Sequence, residues 1–286
     1  MNILVTGATG QLGSKIVQHI LEQKTDETLF VSVRNVEKAA ALKEQGVEVR
    51  HGDFDDPASL DEAFSNVDRL VLVSTDGDTP TRIRQHQTAI EAAKKAGVKL
   101  IVYTSLTKAN EGLLNLAEVH KDTEQRLIES GIDYKILRNN WYLENEVDGL
   151  KQAIASGVLN TTYGAGQVGW LLRDEYAQAA AGAVLGKGET NQIFTLSNTL
   201  GTVDDLVKAA SEVTGKAIQV NHIQDSEYAA ALEAAGLPKE AISFVVEMNK
   251  GIREGGLAAT SDDYEILTGK KPQTLVESLS SLLKEG

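Results

Sequence analysis

The chain reads as an α/β protein, a Rossmann-type doubly wound parallel sheet carrying a smaller, mainly helical C-terminal lobe. Three observations predict this. Short β-branched apolar runs alternate with helical periodicities through the first half, and strands separated by helices of that length build βαβ units with both sheet faces covered. The opening MNILVTGATGQLG places a glycine-rich turn between the first strand and the first helix. After residue 140 the rhythm changes to glycines at 149, 157, 164, 166 and 169, followed by a run of helical patterns.

Taken in order, residues 2–6 are the apolar run of a buried strand, and 11–24 carry Leu12, Ile16, Val17, Ile20 and Leu21 at helical spacing. Strands follow at 28–33, 47–51, 69–74, 99–105 and 133–138, with helices near 36–45, 57–65, 80–96 and 114–130. Asp55, Asp56 and Pro57 start the third helix, and Gly97 stops the fourth. Beyond the change of rhythm, helices are expected near 174–186, 203–214, 225–235, 239–252 and 274–284. QIFTLS at 192–197 reads as a strand that returns to the main sheet. The expected division is a dinucleotide-binding domain at 1–145 and a substrate lobe at 146–286, interleaved through that strand.

Composition narrows the function. Among 286 residues, 28 Lys and Arg stand against 41 Asp and Glu, a net charge of −13. That balance excludes sequence-independent binding to nucleic acid, so any phosphate site must be local. There is no cysteine, and the five histidines at 19, 51, 86, 120 and 222 show no metal-binding spacing, so no metal site is expected. Without a charged-then-apolar leader or a run of eighteen apolar residues, the expectation is a cytoplasmic protein that engages no membrane.

Gly7, Gly10 and Gly13 follow the pattern G-x-x-G-x-x-G directly after the first strand. In such a turn the first glycine permits the bend, the second admits a pyrophosphate, and the third lets helix and strand approach. Thr9, Gln11 and Leu12 lie in the same phosphate-binding turn, where free N–H groups at the helix start face the ligand. A dinucleotide is the expected ligand. An acidic residue at the end of the second strand would bind the ribose of an unphosphorylated cofactor. Here that strand ends in SVRNVEKA, with Arg34 in place of a carboxylate and Lys38 one helical turn on. Two cations suit a 2′-phosphate, so NADPH is expected over NADH, which would bind more weakly. Ligands in such sheets lie outside the carboxyl ends of the strands. Asp53 and Phe54 would then meet the adenine, and Ser74, Thr75, Thr104 and Ser105 the rest of the cofactor. The stretch TDGDTPTRIRQHQ at 75–87 reads as a loop after the fourth strand, a lid or simply a mobile segment.

TGATGQLG, SVRNVEKA, GDFDDPASL, YTSL and LRNNWYLEN occur in order, and together they resemble the NmrA-like atypical short-chain dehydrogenases. Within that family the likeness is to the bacterial NAD(P)H:quinone oxidoreductases of type 2, extending to RDEYAQAAAGAVL and TGKKPQTLVESL. The resemblance implies a Rossmann domain, NADPH in the cleft without flavin or metal, and quinone reduction. The family also includes members that act as redox sensors, so a non-catalytic NADP(H) sensor binding a regulatory protein is the alternative. Reduction of an enone or aldehyde is a third possibility.

The Tyr-x-x-x-Lys pair of many short-chain dehydrogenases is missing, since Ala117 stands four residues before Lys121. A quinone is electrophilic enough for positioning to supply much of the rate. A donor to its developing oxyanion would still help, and the candidates are Tyr103, Asn140, Tyr142, His120 and, less so, Lys121. Asn139, Asn140, Trp141 and Tyr142 form the expected substrate segment, with amides to donate and flat rings to stack. The expected partner is a small electrophile, and the chain a monomer or homodimer.

Overall fold

A computed structural model describes residues 1–284. Nine strands form: β1 (Asn2–Thr6), β2 (Thr28–Val33), β3 (Glu48–His51), β4 (Arg69–Leu72), β5 (Leu100–Leu106), β6 (Asp133–Asn139), β7 (Val158–Thr161), β8 (Gln192–Leu196) and β9 (Gln219–His222). The helices of the first half are α1 (Gln11–Glu22), α2 (Ala40–Glu44), α3 (Pro57–Ala63), α4 (Thr79–Ala96) and α5 (Ala117–Glu129). Those of the second half are α6 (Val147–Ser156), α7 (Arg173–Val184), α8 (Val203–Thr214), α9 (Asp225–Ala234), α10 (Lys239–Arg253), α11 (Asp263–Thr268) and α12 (Leu275–Lys284).

Seven strands make one parallel sheet in the order β3-β2-β1-β4-β5-β6-β8. The order reverses between β1 and β4, and a doubly wound sheet opens a crevice at such a reversal. The central strands are apolar on both faces, as burial on both sides requires. Ile3, Val5, Val31 and Val102 pack on one side with Ile16 and Val17 of α1 and the alanine-rich face of α7. Leu4, Leu70, Leu72 and Ile101 face the other side, against Leu60, Ala89, Ala93 and Leu127 of α3, α4 and α5. Lys135 of β6, 2% exposed, donates to the carbonyls of Ala183 and Lys187 at 3.0 and 2.7 Å. A buried cation thus ties the sheet to the negative end of α7.

A third core, built on Leu143, Leu150, Leu206, Ala210, Ile252 and Leu279, belongs to the C-terminal body. Residues after 146 are shared between the two bodies: β8 sits beside β6, and Tyr264 and Leu267 of α11 pack in the sheet's core. The parallel pair β7–β9 was not apparent in the sequence, nor were α6 and α11. The two strands are four residues each and part-exposed, so neither carries an alternation long enough to read. The expected helix at 36–45 begins as a 3₁₀ turn, Val36–Ala39. Most of the expected loop at 75–87 is helix: Asp78 caps α4 by accepting from the Thr81 N–H at 3.0 Å, with Pro80 in the first turn. Among the described residues no helix is long and apolar enough to cross a membrane.

Candidate functional site

A single cleft of about 830 Å³ runs along the carboxyl ends of the central strands. Its first end is built by the turn between β1 and α1. Gly7 has φ +63°, and a Cβ at Gly13 would stand 2.2 Å from the Gly7 carbonyl oxygen, so α1 approaches the strand as only glycine allows. Gly10 caps α1 without a side-chain bond, and the first turn carries no acidic residue. The positive helix end therefore faces the cleft, ready for an anion. Thr9, Gln11 and Leu12 line this end, with Arg34, Asn35 and Lys38 beyond the end of β2. Neither Arg34 nor Lys38 pairs with a carboxylate among the described residues. Asp53 and Phe54 line the cleft beside Gln85, whose Nε2 donates to Asp55 at 3.0 Å while its buried Oε1 has no partner.

The opposite end is lined by Ser74, Thr75, Thr104, Ser105, His120 and the 139–142 segment. Hydrogen bonds hold the strand ends together: the Ser74 N–H donates to Thr104 Oγ1 at 2.9 Å, and Ser105 Oγ to Glu124 Oε1 at 2.6 Å. Glu124 in turn accepts both arms of Arg138, at 3.0 and 2.7 Å. The Thr75 N–H donates to His86 Nε2 at 3.0 Å, so that ring is protonated at Nδ1 and donates to Thr123 Oγ1 at 2.9 Å. Burial and the nearby Arg82 push His86 down to about 3, and burial likewise holds His120 well below the ordinary histidine range. Both rings are neutral. Asn139 donates to the Tyr142 hydroxyl at 3.3 Å, and its own buried Oδ1 is left without a partner. The Arg173 guanidinium lies 5.0 Å from the centre of the Tyr142 ring.

This donor set fits a 2′-phosphorylated dinucleotide. The uncapped helix start suits the pyrophosphate and the unpaired Arg34 and Lys38 suit the extra phosphate. The orphaned oxygens of Gln85 and Asn139 suit the amino groups of a base and a carboxamide, since buried acceptors are rarely left unpaired.

Two expected residues lie outside the cleft lining, and a third lines it with its donors already used. Tyr103 does not line the cleft: β5 turns it toward α4 and α5, where it is 0% exposed and its hydroxyl accepts from His120 Nδ1 at 2.8 Å. Asn140 lines the cleft, but both protons of its amide are used, on Ser197 Oγ at 3.1 Å and the Leu257 carbonyl at 2.9 Å. It ties β6 to the C-terminal body and has no donor left for a substrate. Lys121 is exposed on the outer side of α5 and outside the cleft lining. Sequence reasoning missed Arg82, Gln85, Asn145 and Arg173, all of which line the cleft. The helix-start signal in Asp78 and Pro80 could have found the first two, because side chains in an early helical turn lean back toward the strand that precedes it.

Residues 7–168 match the family model described as NAD(P)H-binding. Quinone oxidoreductase 2 of Escherichia coli is 36% identical over 281 residues, 98% of each chain. The crystal structure of the NADPH-dependent quinone oxidoreductase from Escherichia coli in complex with NADPH superposes with a TM-score of 0.93 at 36% identity, covering 98% of this chain and 99% of that one. Triphenylmethane reductase from Citrobacter sp. gives the same TM-score of 0.93 at 38% identity, over 99% and 100% of the two chains.

Proposed function

This chain belongs to the NAD(P)H-binding family, and from that premise we propose that it is an NADPH-dependent oxidoreductase acting on quinones or similarly electrophilic small molecules. The observation that carries the reading is the division of one cleft into a phosphate-binding end and an aromatic, cation-bearing end. The start of α1 would hold the pyrophosphate, with Arg34 and Lys38 on the 2′-phosphate and Gln85 toward the adenine. Bound NADPH supplies a hydride, two electrons and one proton together, to an acceptor beside it.

The chain's own residues do the rest. Trp141 and Tyr142 offer flat faces on which a quinone ring stacks. The Tyr142 hydroxyl accepts from Asn139 and keeps its own proton to donate, because burial pushes its ionisation up. The neutral His86 and His120 do not act as acids; they hold the ends of β4 and β5 in register with α4 and α5. Acceptor reduction here depends on positioning and on stabilising charge on oxygen, which a quinone needs more than it needs a strong acid.

The test is loss of reduced-nicotinamide absorbance with purified protein, across benzoquinones, naphthoquinones, enones and aldehydes, with NADPH and NADH compared. Turnover of quinones with NADPH is expected, with far less from NADH. Tight NADPH binding without turnover of any acceptor would overturn the enzymatic reading in favour of a sensor.

A further inference from the structure

Arg82 stands at the inner end of the cleft, in the first turns of α4, and is 7% exposed. Its Nη2 donates to Ser74 Oγ at 2.8 Å and toward His120 Nε2 at 3.5 Å, and its buried Nε has no partner. Among the described residues no carboxylate comes within ion-pair distance of it. Asp76 acts on it only from farther off, and burial pulls the guanidinium below its usual range. A desolvated cation with unused donors is costly unless something negative comes to it. Among the described residues the carboxylate of Asp76 lines the same cleft but does not reach the guanidinium, so the cleft's occupant is the group placed to pair with it.

Two anions could answer: a cofactor phosphate, or an oxygen of the acceptor. The phosphate turn is at Gly7–Gly13, at the end of β1, whereas Arg82 is held by residues at the ends of β4 and on α5. Ser74, which holds Arg82, donates its N–H to Thr104 at the end of β5, and β5 runs beside β6, whose last residue Asn139 holds the Tyr142 hydroxyl, so the cation and the expected stacking ring both lie beyond the ends of β4 to β6. Resting on the quinone-reductase reading above, we propose that Arg82 binds the acceptor oxygen that becomes negatively charged and stabilises it as a phenolate. In that step the quinone takes up two electrons and one proton from NADPH, which leaves as NADP⁺. The C4–H bond of the dihydronicotinamide breaks as an O–H bond forms at one quinone oxygen, the quinoid π bonds rearrange to an aromatic ring, and the displaced electron pair rests on the other oxygen. That phenolate takes its final proton from water.

His120 and Tyr103 act through this group. With Nε2 accepting from Arg82, the His120 ring donates from Nδ1 to the Tyr103 hydroxyl at 2.8 Å. They are positioning residues, which accounts for a tyrosine buried behind the cleft rather than in it.

The probe is 4-nitrophenol, a phenol whose ionisation is visible by its colour and which needs no turnover. Titrated in the presence of NADP⁺ and wild-type protein, the bound phenol should ionise at least about one pH unit lower than in water, as tenfold preference for the anion requires. Arg82→Met should abolish that shift and lower kcat/KM for benzoquinone on the order of 100-fold. Arg82→Lys, which keeps the charge and guards against a folding defect, should retain part of both. NADPH affinity, measured by calorimetry, should change less than about threefold in either variant. A nitrophenol ionisation unshifted in the wild type, or equally shifted in Arg82→Met, overturns the proposal. So does a tenfold or greater loss of NADPH affinity in Arg82→Met with nitrophenol ionisation unaltered, which would assign Arg82 to the cofactor's phosphates. If the wild type shifts nitrophenol through Arg82 but reduces no quinone, the anion site stands and the quinone reading falls.

Discussion

A methyl group at position 13 would sit 2.2 Å from the Gly7 carbonyl oxygen and 2.7 Å from its carbon. No rotamer relieves a clash with backbone, so α1 must move away from β1, at a cost of about 1–3 kcal/mol. Gly13→Ala is therefore expected to lower the unfolding temperature and to raise the NADPH dissociation constant at least about tenfold, because the same shift turns the helix N–H groups off the phosphate. Calorimetry on the variant checks both, and wild-type affinity would show that the turn does not hold the cofactor. Arg34 poses the narrower question of which dinucleotide. Unpaired at the end of β2, it is expected to contribute about 1.5–3 kcal/mol to a 2′-phosphate as a charge-assisted bond. Arg34→Glu should weaken NADPH at least tenfold and leave NADH within about threefold, read as the ratio of the two dissociation constants. Equal loss for both cofactors would remove Arg34 from the phosphate site.

At the scale of elements, the junction of β4 with α4 is where the site is held in shape. The Thr75 N–H, His86 and Thr123 link the end of β4 to α4 and α5, and the link requires His86 to be neutral. Its ordinary value is 6.5 and its folded value is about 3, so on acidification the unfolded chain binds a proton that the folded chain does not. Stability from this group is fully present above about pH 6.5 and is lost as pH falls from there toward 3, with a limiting slope of about 1.4 kcal/mol per pH unit. His86→Gln, which keeps an acceptor for Thr75 but does not titrate, should escape that loss. Between about pH 7.5 and about pH 5, wild type should lose about 2 kcal/mol of unfolding free energy relative to the variant. Urea denaturation at the two pH values measures it, and a constant difference would mean that His86 is not held neutral.

On the scale of the whole molecule, the cleft spans both bodies. The phosphate end belongs to β1, α1 and β2, while Trp141 packs against the C-terminal core and Arg173 opens α7. A ligand filling it binds the folded chain and not the unfolded one, so NADPH at 100 times its dissociation constant should add about 2.7 kcal/mol of stability. The rise in unfolding temperature should follow the logarithm of NADPH concentration and be smaller with NADH at equal concentration. A melting temperature indifferent to NADPH would contradict cofactor binding altogether. The opposite charge balance of surface and cleft is also a property of the whole: in a chain of net charge −13, Arg34, Lys38, Arg82 and Arg173 line one cavity with no carboxylate at ion-pair distance among the described residues.

The sequence by itself determined the features that local chemistry writes down. The first six strands and the helices between them were legible because each is an apolar run or an amphipathic period bounded by a turn or a cap. The glycine turn and the cation at position 34 were legible because the ligand they suit is held by consecutive backbone and one strand end. The tertiary structure alone decided how the far end of the cleft is used. Arg82 meets His120 across 38 residues, and Asn140 meets Leu257 across 117. Such contacts leave no period in the chain, so Asn140 read as a free donor when packing had already taken its protons, and Tyr103 read as a surface of the cleft when the pleat of β5 turns it behind. A buried charge without a partner exists only once the fold has removed the water around it, so the helix start at Asp78 could point to Arg82 as a cleft residue but not to its being a desolvated, unpaired cation.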